Sequence, residues 1–171
     1  MSNLEFEYVA NCNQKLRDFL LEKGFTENIS KELKNGNGQI LVNDQSVENW
    51  YQIKPNDLVE IVLPTSNQGE NIISTKHDFE ILYEDSYILI INKENNLASI
   101  PTRNHYANSL SNYVMSYYKR KGIRANIHCI GRLDYATSGI IMFAKNPYIA
   151  DVIKKQQIDK KYILEVQGLI P

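Results

Sequence analysis

The sequence has few of the residues and patterns that announce metal, disulfide or membrane chemistry. Its two cysteines, Cys12 and Cys129, lie far apart and form no CxxC pair. That excludes a disulfide framework and a cysteine-rich zinc site. The three histidines, His77, His105 and His128, have no ligand spacing among themselves, so no metal is expected. His128 beside Cys129 reads as part of a buried strand. No P-loop or GxGxxG stretch occurs, so no nucleotide cofactor is indicated. No apolar run approaches the roughly 20 residues of a membrane span. Met1 to Glu5 lacks the basic and apolar regions of a signal peptide. A soluble, cytoplasmic protein without a membrane partner is the expectation. Net charge is scarce too: the formal value is -1, which by itself argues against a nucleic-acid binder.

The charge is unevenly spread, however. Residues 1 to 70 hold 6 Lys+Arg against 11 Asp+Glu, whereas residues 71 to 171 hold 13 against 9. Attraction to RNA is therefore plausible for the second part. With 171 residues, 43% of them hydrophobic, the chain is long enough for one ordinary domain or two small ones with packed cores.

Most of the chemistry is concentrated in Gly131-Arg132-Leu133-Asp134-Tyr135-Ala136-Thr137-Ser138-Gly139. Apolar stretches flank it, Asn126 to Ile130 and Ile140 to Ala144, and both read as buried strands. Extended spacing puts Arg132 and Asp134 on one side. A guanidinium there would keep the acid ionised, ready to act as nucleophile or base. The same pair could instead simply close a turn.

Arg-Leu-Asp-x-x-Thr-Ser-Gly, followed by an apolar strand and Ala144-Lys145, resembles the catalytic signature of the RluA/RluD-type pseudouridine synthases. The resemblance implies that Asp134 is the catalytic residue. That family usually has histidine where this chain has Gly131, and glycine there is more typical of the related RsuA branch. Lys160-x-Tyr162, followed by an expected strand from Tyr162 to Gln167 and then Gly168, resembles the family's second motif. There the tyrosine ring packs against the target base. The implied catalytic set is Asp134, Arg132 and Tyr162, with no metal or organic cofactor.

Before the signature, Phe79 to Asp85 and Tyr87 to Asn92 resemble the family's opening hairpin. Lys93 reads as a solvated strand-end charge. Asn108 is expected to cap a helix from Ser109 to Lys121, with Gly122 as its stop. Leu110, Tyr113, Val114, Tyr117 and Tyr118 form its apolar stripe. Lys119, Arg120, Lys121 and Arg124 cluster at its end, either as a complement to the helix dipole or as phosphate contacts. With Lys160 they are the expected RNA-binding residues. Asn146-Pro147 starts another helix, with Ile149, Val152 and Ile153 facing the core.

The first part predicts a helix over Gln14 to Lys23, a short helix over Lys31 to Lys34, and short strands at Ile40 to Val42 and Leu58 to Leu63. With Leu16-Arg17-Asp18-Phe19-Leu20, Ile40-Leu41-Val42-Asn43 and Asn56 to Ile61, this order resembles the small alpha-L RNA-binding module. The expected organisation is α+β. A small alpha-L RNA-binding domain (1–64) and a polar linker (65–76) precede the N-terminal portion of a mixed, mainly antiparallel-sheet synthase domain (77–171).

The leading functional expectation is an RNA pseudouridine synthase, with rRNA ahead of tRNA as partner. The alternatives are a non-catalytic RNA-binding protein with an incomplete synthase-like domain, and an interaction module whose Arg132–Asp134 pair only closes a turn. The resemblance also implies that a third motif lies beyond Pro171. Little turnover is then expected from these residues alone. Self-association through the exposed edge of the Tyr162 strand is a further expectation.

Overall fold

A computed structural model describes residues 4–27, 31, 33, 38–63 and 72–168. The first part is built on an alternating strand. In β6 (Leu58–Leu63) Val59, Ile61 and Leu63 point inward and are buried, as the period of a half-buried strand requires. β1 (Leu4–Val9) pairs with β6 along its whole length. β3 (Gln39–Val42) lies on the other side of β6, and β4 (Gln45–Ser46) beside β3, giving the antiparallel order β1-β6-β3-β4. The sequence reading missed β1, although Phe6 and Tyr8 alternate there with Glu5 and Glu7. Helix α1 (Leu16–Glu22) closes this core with Leu16, Phe19 and Leu20. It starts later than expected because Gln14 and Lys15, as β2, pair with β5 (Gln52–Ile53). The helix expected over Lys31 to Lys34 and the linker residues 65–71 lie largely outside the described residues.

The second part is a four-stranded antiparallel sheet in the order β7-β8-β10-β9. Its strands are β7 (Glu80–Glu84), β8 (Ile88–Lys93), β9 (His128–Ile130) and β10 (Gly139–Ala144). Leu89 and Ile91 of β8, with Ile141 and Phe143 of β10, pack against Leu110, Val114 and Tyr118 of α2 (Leu110–Lys121). Ser109, not Asn108, is the N-cap: its N–H donates to Asn112 Oδ1 at 2.9 Å. Gly122 ends the helix in the left-handed region, at φ +66. These helices on antiparallel sheets give the expected α+β class.

Helix α3 (Pro147–Lys155) starts as its sequence predicts, with Asn146 Oδ1 accepting from the Tyr148 N–H at 2.8 Å. Tyr148, which drew no attention in the sequence, joins the two parts. It enters the first core and stacks on Phe25 at 4.6 Å between ring centroids, with Phe6 edge-on at 4.9 Å. Thr26 Oγ1 donates to Asp151 at 2.7 Å beside it. Ala150 meanwhile packs on Ile130 and Ala144 of the second part. Tyr148→Ala is therefore expected to cost roughly 3 kcal/mol, as for other buried aromatic truncations. Tyr148→Phe, which keeps the ring in both contacts, should cost no more than about 0.5–1 kcal/mol. Urea unfolding of the two variants distinguishes these magnitudes.

The strand expected over Tyr162 to Gln167 is not formed. Residues 157–166 carry no helix or strand, and Ile163 and Leu164 are 102% and 79% exposed. The alternation is present, but no neighbouring strand among the described residues supplies ladder bonds. A strand without a ladder leaves its backbone to water. Among the described residues no helix is long and apolar enough to cross a membrane.

Candidate active site

The sheet's strand ends position the signature. Gly139, first in β10, pairs with Lys93, last in β8. The intervening loop 131–138 therefore sits over the end of β8. Gly131 takes φ +69 there, and a Cβ on it would lie 3.2 Å from Lys160 Nζ. The positive φ favours glycine at a position where the resemblance leads one to expect histidine, whereas the exposed Lys160 ammonium is free to move aside.

The loop is held through its backbone. Ser99 Oγ donates to the Leu133 carbonyl at 2.6 Å and accepts from the Leu133 N–H at 3.2 Å. The Leu97 N–H donates to the Tyr135 carbonyl at 3.1 Å. Helix α2 anchors this support, since the Leu110 N–H donates to Ala98 O at 2.8 Å and Ser111 Oγ to Ser99 O at 3.0 Å. The Tyr135 ring stacks on His105 at 4.9 Å. Pinned at Leu133 and Tyr135, the loop presents Asp134 outward, with its side chain exposed.

Beneath the loop lies Lys93, and here the sequence reading is corrected. Lys93 is 0% exposed. Its ammonium donates to the carbonyls of Leu97 at 2.7 Å, Glu94 at 3.0 Å and, more weakly, Tyr135 at 3.4 Å. Burial pushes its pKa down, while the charges of Glu94 and Asp134 pull it back up. The clue was in the alternation: Leu89, Ile91 and Lys93 share one strand face, so Lys93 follows two core residues inward.

The expected Arg132–Asp134 pair is also corrected. No ion pair within 4 Å joins them among the described residues. The chain turns at Asp134, whose carbonyl accepts from the Thr137 N–H at 3.1 Å. Extended spacing therefore does not apply. The Arg132 charge acts instead on Cys129, whose thiol burial pushes up to about 11. At neutral pH Cys129 is thus a protonated thiol, without nucleophilic character.

The remaining expected residues divide. Lys160 is brought against the signature at Gly131. Tyr162 lies on the exposed tail, 56% exposed. Lys119, Arg120, Lys121 and Arg124 are exposed at the far end of α2, a helix length of about 18 Å from the end that supports the loop. Lys145, which closes the signature resemblance, is buried at the opposite end of β10. It donates to Glu84 at 2.8 Å and to the Asp85 carbonyl at 2.6 Å, a structural clamp. No metal-ligating group of three His, Cys, Asp or Glu exists among the described residues.

Comparison with known proteins agrees with this geometry. Residues 87–171 match the RNA pseudouridylate synthase family. The chain is 30% identical over 157 residues to the uncharacterized RNA pseudouridine synthase YjbO of Bacillus subtilis, covering 90% of the chain and 56% of the relative. It is 37% identical over 123 residues to YhcT of the same organism, another uncharacterized RNA pseudouridine synthase, covering 72% and 40%. It is 27% identical over 173 residues to ribosomal large subunit pseudouridine synthase C of Buchnera aphidicola, covering 93% and 53%. The chain spans about half the length of these relatives. With its Arg-Leu-Asp loop mounted on the sheet end and these matches along most of its length, the chain belongs to the RluA-type RNA pseudouridine synthases.

Proposed function

We propose that the protein carrying these residues converts uridine to pseudouridine in structured RNA, rRNA ahead of tRNA, with Asp134 as the catalytic carboxylate. One observation carries the reading. Asp134 is exposed on a loop whose backbone is held on both sides, and its carboxylate has no hydrogen bond among the described residues. An acid mounted this way is free to meet a substrate without rebuilding the fold.

In the reaction the C1′–N1 bond breaks, the uracil rotates and a C1′–C5 bond forms. C5 gives up its proton and N1 gains one, so composition is unchanged. Asp134 serves by adding to the sugar or by taking a sugar proton, and both routes use the ionised carboxylate. The target base must leave its stack to reach it. Tyr162 is the proposed platform for that base once the tail is ordered against it. Arg132, unpaired with Asp134, is assigned to the RNA backbone together with Lys160. Residues 1–64, read as an alpha-L module, and the basic end of α2 supply further RNA contact in a cytoplasmic enzyme.

The exposed tail favours one second reading, RNA binding without turnover. Mapping pseudouridines in cellular RNA with and without the gene decides between them. Loss of one or a few sites is expected. An unchanged map, with RNA binding retained, selects the second reading.

A further inference from the structure

Beside the edge strand β7 lies a cleft of about 410 Å³ whose lining includes Phe79, Ile81, Tyr117, Arg120 and Lys121. Its size falls within the usual range for small-molecule sites, roughly 300–1,000 Å³. The reading above draws only on its cations, as part of the basic end of α2, and leaves its aromatic wall unused. We propose that it holds one unpaired nucleotide of the RNA substrate, base inward and phosphate on the cations. This rests on the RNA reading above.

Ring chemistry is the first support. Phe79 and Tyr117 meet edge to face, 5.6 Å between centroids and 68° between planes. Tyr117 is fixed in place, since its hydroxyl donates to Glu84 at 2.5 Å and is pushed up to about 12 by burial and that carboxylate. A fixed aromatic wall stacks any base with little ordering cost. Ile81 extends the apolar surface and is 37% exposed on β7. Because β7 ends the sheet, its outer backbone groups are open to hydrogen bonds from a base edge.

Charge is the second. Arg120 and Lys121 are exposed in the last turn of α2 and line the same cleft. The helix end itself carries only about half a negative charge, which two full cations outweigh. A purely apolar or peptide ligand would not need both cations and rings. Asp78, also in the lining, opposes an anion and so provides a sign test.

Position is the third. Glu80 at the start of β7 pairs with Asn92, beside Lys93. His77, at that end of the cleft, has Nε2 2.9 Å from Glu94 Oε1, next to Lys93 in the chain. The cleft therefore runs from the sheet end that carries the signature to the basic end of α2. A strand leaving the active site could follow it.

The probe is a fluorescein-labelled oligouridylate of about ten nucleotides, titrated against the 171-residue chain by anisotropy at several salt concentrations. Arg120→Gln/Lys121→Gln is expected to weaken binding about tenfold and to flatten the log–log salt slope by roughly 1.4, two single-strand phosphates. Phe79→Leu should weaken it at least fivefold, with that slope unchanged. Asp78→Asn should tighten it about twofold at low salt. Lys15→Gln/Lys54→Gln removes equal charge from the first part and should weaken binding clearly less than the Arg120/Lys121 pair does. A 4-thiouridine probe should crosslink within residues 77–81 or 117–121. The proposal is overturned if the Lys15/Lys54 variant loses as much affinity as the Arg120/Lys121 variant, or if crosslinks avoid both segments. In either case the RNA reading stands. Absence of any binding by the unaltered chain would instead remove the RNA reading itself.

Discussion

Asp134→Asn is expected to lower pseudouridine formation at least about 1,000-fold, roughly 4 kcal/mol of transition-state stabilisation, while fold and RNA affinity stay intact. The amide has nearly the same shape, but it neither adds to a sugar nor accepts a proton as a carboxylate does. Stability should hold because the loop is fastened by Leu133 and Tyr135 backbone groups, not by the Asp134 side chain. Exposed substitutions of this kind stay within about 0.5 kcal/mol. The measurement is single-turnover conversion of a uridine substrate by the enzyme that contains these residues, with denaturant unfolding and RNA titration alongside. Conversion within tenfold of the unaltered enzyme would sink the assignment of Asp134.

Lys93→Met is expected to act on both stability and rate. The thioether fills the same channel but donates nothing to the carbonyls of Glu94, Leu97 and Tyr135. A buried group left without its partner costs about 1–3 kcal/mol, and three share this donor, so a loss of roughly 2–4 kcal/mol is expected. The Tyr135 carbonyl is one of the loop's own fastenings, so Asp134 loses position and kcat falls more than KM rises. Lys93→Arg should not restore either property, since a planar fork does not fit three carbonyls arranged around one ammonium. An alkaline profile adds a sign test. Burial lowers the folded pKa of Lys93 below its ordinary 10.5. Between those two values the unfolded chain holds the proton and the folded chain releases it. Stability from this group therefore rises with pH across that interval, and activity that needs the ammonium falls. In the methionine variant neither change should remain. Unchanged stability and rate in Lys93→Met would show that the ammonium is dispensable.

Local chemistry was legible in the chain. The apolar runs of β8 and β10, the caps of α2 and α3 within a residue, and the contiguous Arg-Leu-Asp signature all depend on neighbours in sequence. Periodicity, capping and short motifs encode such features. Even there the α2 cap was read one residue early, because Asn108 and Ser109 are both good caps. What the tertiary structure alone decided depends on residues far apart. Lys93 meets the Tyr135 carbonyl 42 positions away, which turns an apparent solvated charge into the buried support of the loop. Arg132 looked like the partner of Asp134 at two-residue spacing, but a turn parts them while β-sheet register carries Lys93 beneath. β1 was hidden because its partner, β6, enters the sequence some fifty residues later. Tyr148 read as one helical residue among others until Phe6 and Phe25 closed around it. The tail shows the converse. Its alternation from Tyr162 to Val166 specifies strand-like faces, but a strand exists only where a neighbour completes its hydrogen bonds, and no local pattern supplies the neighbour.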